Sequence, residues 1–235
     1  MTVLAVDSST PTAAVALCRD GDLLASFRTA AGSTHSACLL PMIENTLSLC
    51  GVSVADVDLF VCGVGPGSFT GVRIAVATVK GLAAPLDKPC VGVSSLELCA
   101  AALAGAEGLI VPVFNARRGN VYSAVFSSSG GGLSRLGEDM IISVAELCEM
   151  LRPYGRPVYF AGDSAREVYA AARDSGIDAA PVSETAILPD AAQICAVAAA
   201  RYEAAGDEAK RAYTADALTP VYLRPGRVAT AALPE

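Results

Sequence analysis

Two short stretches carry residue types and spacing suited to holding a phosphate. Asp7-Ser8-Ser9-Thr10 stands between two apolar runs, so its N–H groups and hydroxyls fall at a turn where Asp7 could hold a metal-bound water. The same tetrapeptide also fits an Asx or Ser/Thr turn, in which the side chains bond their own backbone. Gly65-Pro66-Gly67-Ser68-Phe69-Thr70-Gly71 is the stronger signal. Its glycines let the main chain take positive φ and approach a ligand, and a helix behind it would offer unpaired N–H groups to an anion. It has neither the Lys of a P-loop nor the G-x-G-x-x-G spacing of a dinucleotide site, so a tight connector between two elements is the competing reading. His35 is the one histidine. A helical metal pair needs a second ligand one turn on, where Leu39 stands, and Ser8, Ser68 and Ser94 would share a single imidazole in any Ser/His/Asp triad. The 8 cysteines form no C-x-x-C pair and sit largely in apolar runs. They read as reduced, buried small hydrophobes, and no metal site is expected.

The elements that must position these residues follow from periodicity. Residues 3–29 read as strand, polar turn, strand, Asp20-Gly21 turn, strand. His35–Leu49 is helical, with Leu39, Met42, Ile43 and Leu47 at three- and four-residue steps, Ser33 or Thr34 as cap, Pro41 in its first turns and Gly51 closing it. Leu59–Val64 is a strand, and Gly71–Ala84 a helix. Cys90–Val93, a Ser94 or Ser95 cap and another helix repeat the shape. Composition shifts at Ala104–Gly108, which places a domain boundary between 1–105 and 106–235. A second hairpin, turning at Asn115–Asn120, then opens the second half. A flexible Ser128–Gly132 tip, helices near Val144–Leu151, Ser164–Ser175 and Asp190–Ala204, and a strand before Asp163 complete it. Both halves run hairpin first and parallel-type strands later, the pattern of a gene-doubled α/β fold with two similar lobes. The tail after Pro225 has no periodicity.

The helix Gly71–Ala84 is apolar around most of its circumference, with Arg73, Thr78 and Lys80 as its polar side chains. The preceding helix has apolar residues off its main stripe, Leu40 and Leu49, and Ala75, Ala77 and Gly81 permit close contact. Either this domain's core swallows both helices, or they present an extra face to a partner.

Composition excludes several classes. The chain has 235 residues, 53% of them hydrophobic, and a formal net charge of −7. Disorder is ruled out as the main state, and RNA binding unaided by a basic partner is not expected. Mean hydropathy is +0.47, yet no run of about 18 uninterrupted apolar residues exists. The first ten residues lack a basic n-region and a long apolar h-region, so a cytoplasmic address without a membrane is expected.

AVDSST, THSACLLPMI, GVGPGSFTGVRIAVATVKGLA, VGVSSLE, NARRGNVY and PVYLRP together closely resemble the bacterial TsaB family, also called YeaZ. The resemblance spans almost the whole chain. It implies two ribonuclease-H-like lobes of the actin-like ATPase superfamily. It also implies a non-catalytic partner of the TsaD-type subunit that transfers threonylcarbamoyl to the adenosine beside the anticodon of ANN-decoding tRNAs. A TsaE-type ATPase joins the pair, the chain without the partner is either a monomer or a homodimer, and tRNA is met only through the complex. No cofactor is implied for this chain alone; ATP or ADP with Mg belongs to the complex. The catalytic relative holds its metal through two histidines one helical turn apart, where this chain has His35 and Leu39. By matching motif, Asp7, Ser8, Ser9 and the loop residues Gly65, Gly67, Ser68, Thr70 and Gly71 correspond to the superfamily's phosphate loops. The family forms its dimer interface through the two helices, which implies contacts at Leu39, Leu40, Met42, Ile43, Leu47, Val72, Ala75, Val76 and Val79. The chain departs from the family at Ala37, usually Glu, and at Asn115, usually Asp. The competing function is a nucleotide hydrolase or kinase of the same superfamily, working through Asp7 and the Gly65–Gly71 loop.

Overall fold

A computed structural model describes residues 1–29, 34–180 and 191–223. Ser33, Asp190 and the tail after Pro225 lie outside them. The chain forms two units.

In the first unit β1 (Thr2–Asp7), β2 (Ala13–Arg19) and β3 (Asp22–Thr29) make an antiparallel meander. Asp20 and Gly21, at φ 53° and 91°, turn the second hairpin. After α1 (His35–Leu49), β4 (Leu59–Gly63) lies parallel to β1. After α2 (Phe69–Ala83), β5 (Cys90–Val93) lies parallel to β4 and leads into α3 (Ser95–Ala101). The sheet order is β3-β2-β1-β4-β5. β1, β2 and β4 are nearly continuous apolar runs because both their faces are covered. Leu4, Val6, Val15, Leu17 and Phe60 face α1 and α2. Val3, Ala5, Ala14, Ala16 and Val61 face α6 (Ala191–Ala204), through Ile194, Cys195 and Ala198.

Two helix ends show why the elements stop where they do. Gly51, at φ 62°, follows α1, and the N–H groups of Gly51 and Val52 return to the carbonyls of Ser48 and Leu47. This paired closure satisfies the helix's last acceptors. α2 begins at Phe69, two residues before the expected Gly71, because the Ser68 hydroxyl caps it by accepting from the Gly71 N–H at 3.3 Å.

The second unit holds β6 (Gly108–Arg117), β7 (Asn120–Ser123), β8 (Phe126–Ser129), β9 (Gly132–Arg135), β10 (Met140–Ser143), α4 (Val144–Leu151), β11 (Val158–Ala161), α5 (Ala165–Asp174) and β12 (Ala179–Ala180). Its sheet runs β10-β7-β6-β11-β12, with β8 added to β6 and β9 to β8. Two antiparallel pairings followed by two parallel ones repeat the first unit's topology. Ser143 and Glu146 form a reciprocal capping box at α4.

Two expectations are corrected. The division falls after Leu98, and described residues 191–221 belong to the first unit, so the second lobe does not run from 106 to the end. The reason is α6, whose apolar residues fill the face of the first sheet that α1 and α2 leave bare. The Ser128–Gly132 segment is the tip of the β8–β9 hairpin, paired up to Ser129 and Gly132 and turned by Gly130 and Gly131 at φ 56° and 77°.

Candidate functional site

The end of β1 and the loop after β4 meet at the C-terminal edge of the first sheet. Asp7 is 1% exposed, and Ser8 and Ser9 are equally buried. Asp7 Oδ1 accepts from the Ser9 N–H at 3.0 Å and the Ser9 hydroxyl at 2.8 Å. Its Oδ2 accepts from the Ser95 hydroxyl at 3.1 Å, and Ser95 Oγ in turn accepts from the Gly65 N–H at 3.1 Å. Burial raises the Asp7 carboxyl above the usual carboxylate range, against the hydrogen bonds from Ser9 and Ser95 and the field of His35, which pull it down.

The glycine loop closes against the hairpin tip. The Ser68 N–H donates to the Ser9 carbonyl at 2.6 Å, and the Ser8 hydroxyl donates to the Gly71 carbonyl at 2.8 Å. A Cβ on Gly63 would lie 1.7 Å from Asp7 Oδ2, one on Gly67 2.3 Å from the Ser9 carbonyl oxygen, and one on Gly71 1.9 Å from that of Ser8. These glycines admit the chain's own hairpin tip, at the distance a ligand's approach would need. From the other side the Val221 N–H donates to the Val64 carbonyl at 2.8 Å, which brings the chain's late Pro-Val-Tyr segment onto the loop. Thr70 and Ser68 stay exposed at the start of α2.

The phosphate-loop residues are thus brought together, but as a closed packing contact. Both Asp7 oxygens and the N–H groups of Gly65, Ser68 and Gly71 are engaged within the chain. In this arrangement Asp7 and those three N–H groups are turned to partners within the chain and not to a Mg-nucleotide. Gly63 and Ser95 are the members that motif reading passed over. Their signal was a glycine ending a buried strand and a hydroxyl two residues after the next one.

His35 is half-buried beside this cluster, and its Nε2, as the protonated nitrogen, donates to the Pro11 carbonyl at 3.2 Å. Leu39, one turn on, is in the core. The eight cysteines are free thiols, six of them buried. Burial pushes Cys90 up to about 11 and Cys62 well above its ordinary value, so both are poor nucleophiles at neutral pH.

The expected partner-contact residues need correction. Leu39, Met42, Ile43, Leu47, Val72, Ala75, Val76 and Val79 are all buried in the first unit's own core. The regular i, i+3, i+4 stripe of each helix faces the sheet. Of the nine, Leu40 alone points outward, at 45% exposure. The outer sides of these neighbouring helices carry Ala37, Leu40, Pro41 and Leu49 on α1, and Phe69, Ala77 and Gly81 on α2, with Ile74 half-buried. Ser36, Asn45, Ser48 and Thr70 are exposed beside them, Glu44 and Arg73 are the exposed charged groups with Lys80 half-buried, and the Arg73 guanidinium lies over the Phe69 ring at 3.7 Å. Phe69–Leu86 is long and apolar enough to cross a membrane by length and composition. Its inner stripe, however, packs on the sheet, as a core helix does.

A doubled five-strand topology with helices on both faces of the first sheet defines the class of two-lobed, actin-like proteins. Component A of the Acidaminococcus fermentans (R)-2-hydroxyglutaryl-CoA dehydratase shares this fold, with a TM-score of 0.51 at 11% identity over 86% of this chain and 99% of that one. Within the class the match narrows. The TsaD family model, described as tRNA N6-adenosine threonylcarbamoyltransferase, matches residues 29–231. The tRNA threonylcarbamoyladenosine biosynthesis protein TsaB of Bacillus subtilis is 40% identical over 162 residues, 69% of this chain and 71% of that protein. YeaZ from Pseudomonas aeruginosa superposes with a TM-score of 0.75 at 29% identity, covering 94% of this chain and 99% of that one. The chain belongs to the TsaB (YeaZ) branch of this family.

Proposed function

We propose that this chain is the non-catalytic partner of a TsaD-type threonylcarbamoyltransferase, required for threonylcarbamoylation of the adenosine beside the anticodon in ANN-decoding tRNAs. The observation that carries the reading is a contrast on one unit. The residues a nucleotide enzyme would use are packed against each other, while two neighbouring helices turn an almost uncharged outer side, with Leu40, Pro41, Phe69 and Ala77, to solvent. Apolar surface of that kind is stabilised by covering it. The TsaD-type subunit covers it in the working complex, and a second copy of this chain covers it when that subunit is absent. A TsaE-type ATPase joins the pair. ATP or ADP with Mg serves the complex, and no step of the transfer is assigned to this chain. The assembly is cytoplasmic.

Size-exclusion with light scattering, on the chain alone and mixed with a TsaD-type subunit, tests the reading together with a tRNA threonylcarbamoylation assay. Activity confined to a stoichiometric mixture supports it. Leu40→Asp and Ala77→Asp should each abolish pairing while lowering Tm by no more than a few degrees, because both side chains face water and the change costs about 0.7 kcal/mol of helix propensity. Unchanged pairing in both variants would remove this face from consideration.

A further inference from the structure

Among the described residues four non-glycine residues have positive φ: Asp20, Asp87, Arg117 and Arg118. The first two are aspartates, whose short side chains suit the left-handed region. The other two are neighbours, at φ 70° and 54°, and both are long and basic. Arg117 pairs with Asn120 across the β6–β7 hairpin, leaving Arg118-Gly119 as a two-residue loop with both φ values positive. Such a loop favours Asn-Gly or Asp-Gly. Here the backbone takes the less favourable residue twice in succession, and what that substitution supplies is two guanidinium groups.

The turn is braced from beneath. The Arg117 N–H donates to Asn115 Oδ1 at 2.8 Å, and the Asn115 N–H donates to Asp163 Oδ1 at 2.8 Å. Asp163 attracts Arg117 electrostatically, but its hydrogen bonds come from the Asn115 N–H and the Ser164 hydroxyl. Arg135, Arg152 and Arg201 each hold a carboxylate. Neither guanidinium of the turn has a hydrogen bond or ion pair among the described residues. Asn115, Arg117, Arg118 and Gly119 are all exposed. A small anion needs a concave site to be held, whereas two exposed guanidinium forks on a braced turn suit a large polyanion that lies across it.

We propose that the Arg117–Arg118 turn grips the phosphodiester backbone of the RNA on which the complex acts. The inference rests on the partner reading above and adds to it a direct RNA contact by this chain.

The test is the double variant Arg117→Asn/Arg118→Asn, because asparagine tolerates the left-handed region and the turn should fold at least as well. The probe is an unmodified transcript of an ANN-decoding tRNA, titrated against the complex with the TsaD-type subunit and against this chain alone at low salt. The expected result is unchanged or raised Tm, unchanged complex formation and tRNA affinity lower by about tenfold or more. The slope of log affinity against log salt should also fall by about 1.4–1.8, two phosphates at about 0.7–0.9 each. Arg156→Asn/Arg173→Asn, with the same charge loss on exposed residues outside the positive-φ set, should change affinity less than about twofold. Wild-type tRNA affinity in the double variant overturns the proposal. So does a loss of subunit pairing with tRNA affinity intact, which would mean an acidic protein surface is the ligand. Loss of ATP binding with tRNA binding unchanged overturns it too, as does a lowered Tm. If the wild-type complex does not form, the partner reading fails separately, and the titration of the chain alone still decides the turn.

Discussion

Replacing Asp7 separates a packing role from a chemical one. In Asp7→Asn the carbonyl oxygen keeps both bonds from Ser9, at 3.0 and 2.8 Å. The amide nitrogen takes the place of Oδ2 and donates to Ser95 Oγ, 3.1 Å away, which also receives the Gly65 N–H. One buried hydroxyl proton then lacks an acceptor, at about 1–3 kcal/mol, and removal of a desolvated charge offsets part of that. The net change should lie within about 1–2 kcal/mol, a Tm shift of a few degrees for a chain of this length. Asp7→Ala strands three donors and opens a cavity, so it should cost about 3 kcal/mol or more. Thermal unfolding measures both, and threonylcarbamoylation by the reconstituted complex measures function. The Asn variant should fold, pair and support activity within a few-fold. A catalytic carboxylate would instead lose about 100-fold or more on the same change. An Asp7→Asn protein with near-native Tm and intact pairing but activity down 100-fold would refute the packing role. The pH dependence gives a second check. The folded state holds the Asp7 proton more tightly than the unfolded chain, whose value is near 3.8. This group's contribution to stability is therefore largest below that value and is lost as pH rises through the raised folded value. Stability of the wild type relative to Asp7→Asn should grow as pH is lowered toward about 4.

Other substitutions probe neighbouring parts. Gly71→Ala puts a Cβ 1.9 Å from the Ser8 carbonyl oxygen and should cost about 1–3 kcal/mol in thermal unfolding, with a Tm unchanged within 1 °C as the contrary result. Gly81→Ala meets nothing within 4 Å on the exposed side of α2 and should stabilise the monomer by about 0.5–1 kcal/mol in urea titration. Val79→Asp buries an unpaired charge in the core and should prevent folding as judged by circular dichroism, so it reports on stability and not on pairing. Lys80 donates to the carbonyls of Asp216 and Leu218, at 3.2 Å each. Lys80→Met should cost about 1 kcal/mol and raise hydrogen exchange in residues 213–221.

Local signals read well where the deciding physics is local. Asp20-Gly21 specifies a hairpin, Gly51 a helix end, and the stepping of Leu39, Met42, Ile43 and Leu47 the helix itself, because each rests on backbone geometry or one amphipathic stripe. The tetrapeptide at Asp7 does form the Asx arrangement, with the Ser9 N–H on the Asp7 carboxylate. The proposed partner face was harder, since apolar periodicity marks the side that meets the sheet. The informative residues were the exceptions to the stripe, Leu40, Leu49, Ala77 and Gly81, which have no packing reason to be apolar. α6 was legible as a helix but not in its destination. Ala191, Ile194, Cys195 and Ala198 would suit either sheet, and only the small residues Ala5, Ala14 and Ala16 on the facing strands select one. Closure of the glycine loop was hidden for a related reason. A glycine that admits a phosphate and one that admits a neighbouring carbonyl look alike in one dimension.

The return of α6 to the first unit has a consequence for synthesis on the ribosome. When Leu98 has emerged, Val3, Ala5, Val61 and Val91 still lack the cover of α6, which follows about ninety residues later. All the strands of the second unit, β6 to β12, are made between those points. The nascent chain therefore reverses the usual order in which the amino-terminal domain is finished before the next begins. Its exposed intermediate spans the making of the whole second sheet, which is the interval in which holdase chaperones and aggregation compete for it.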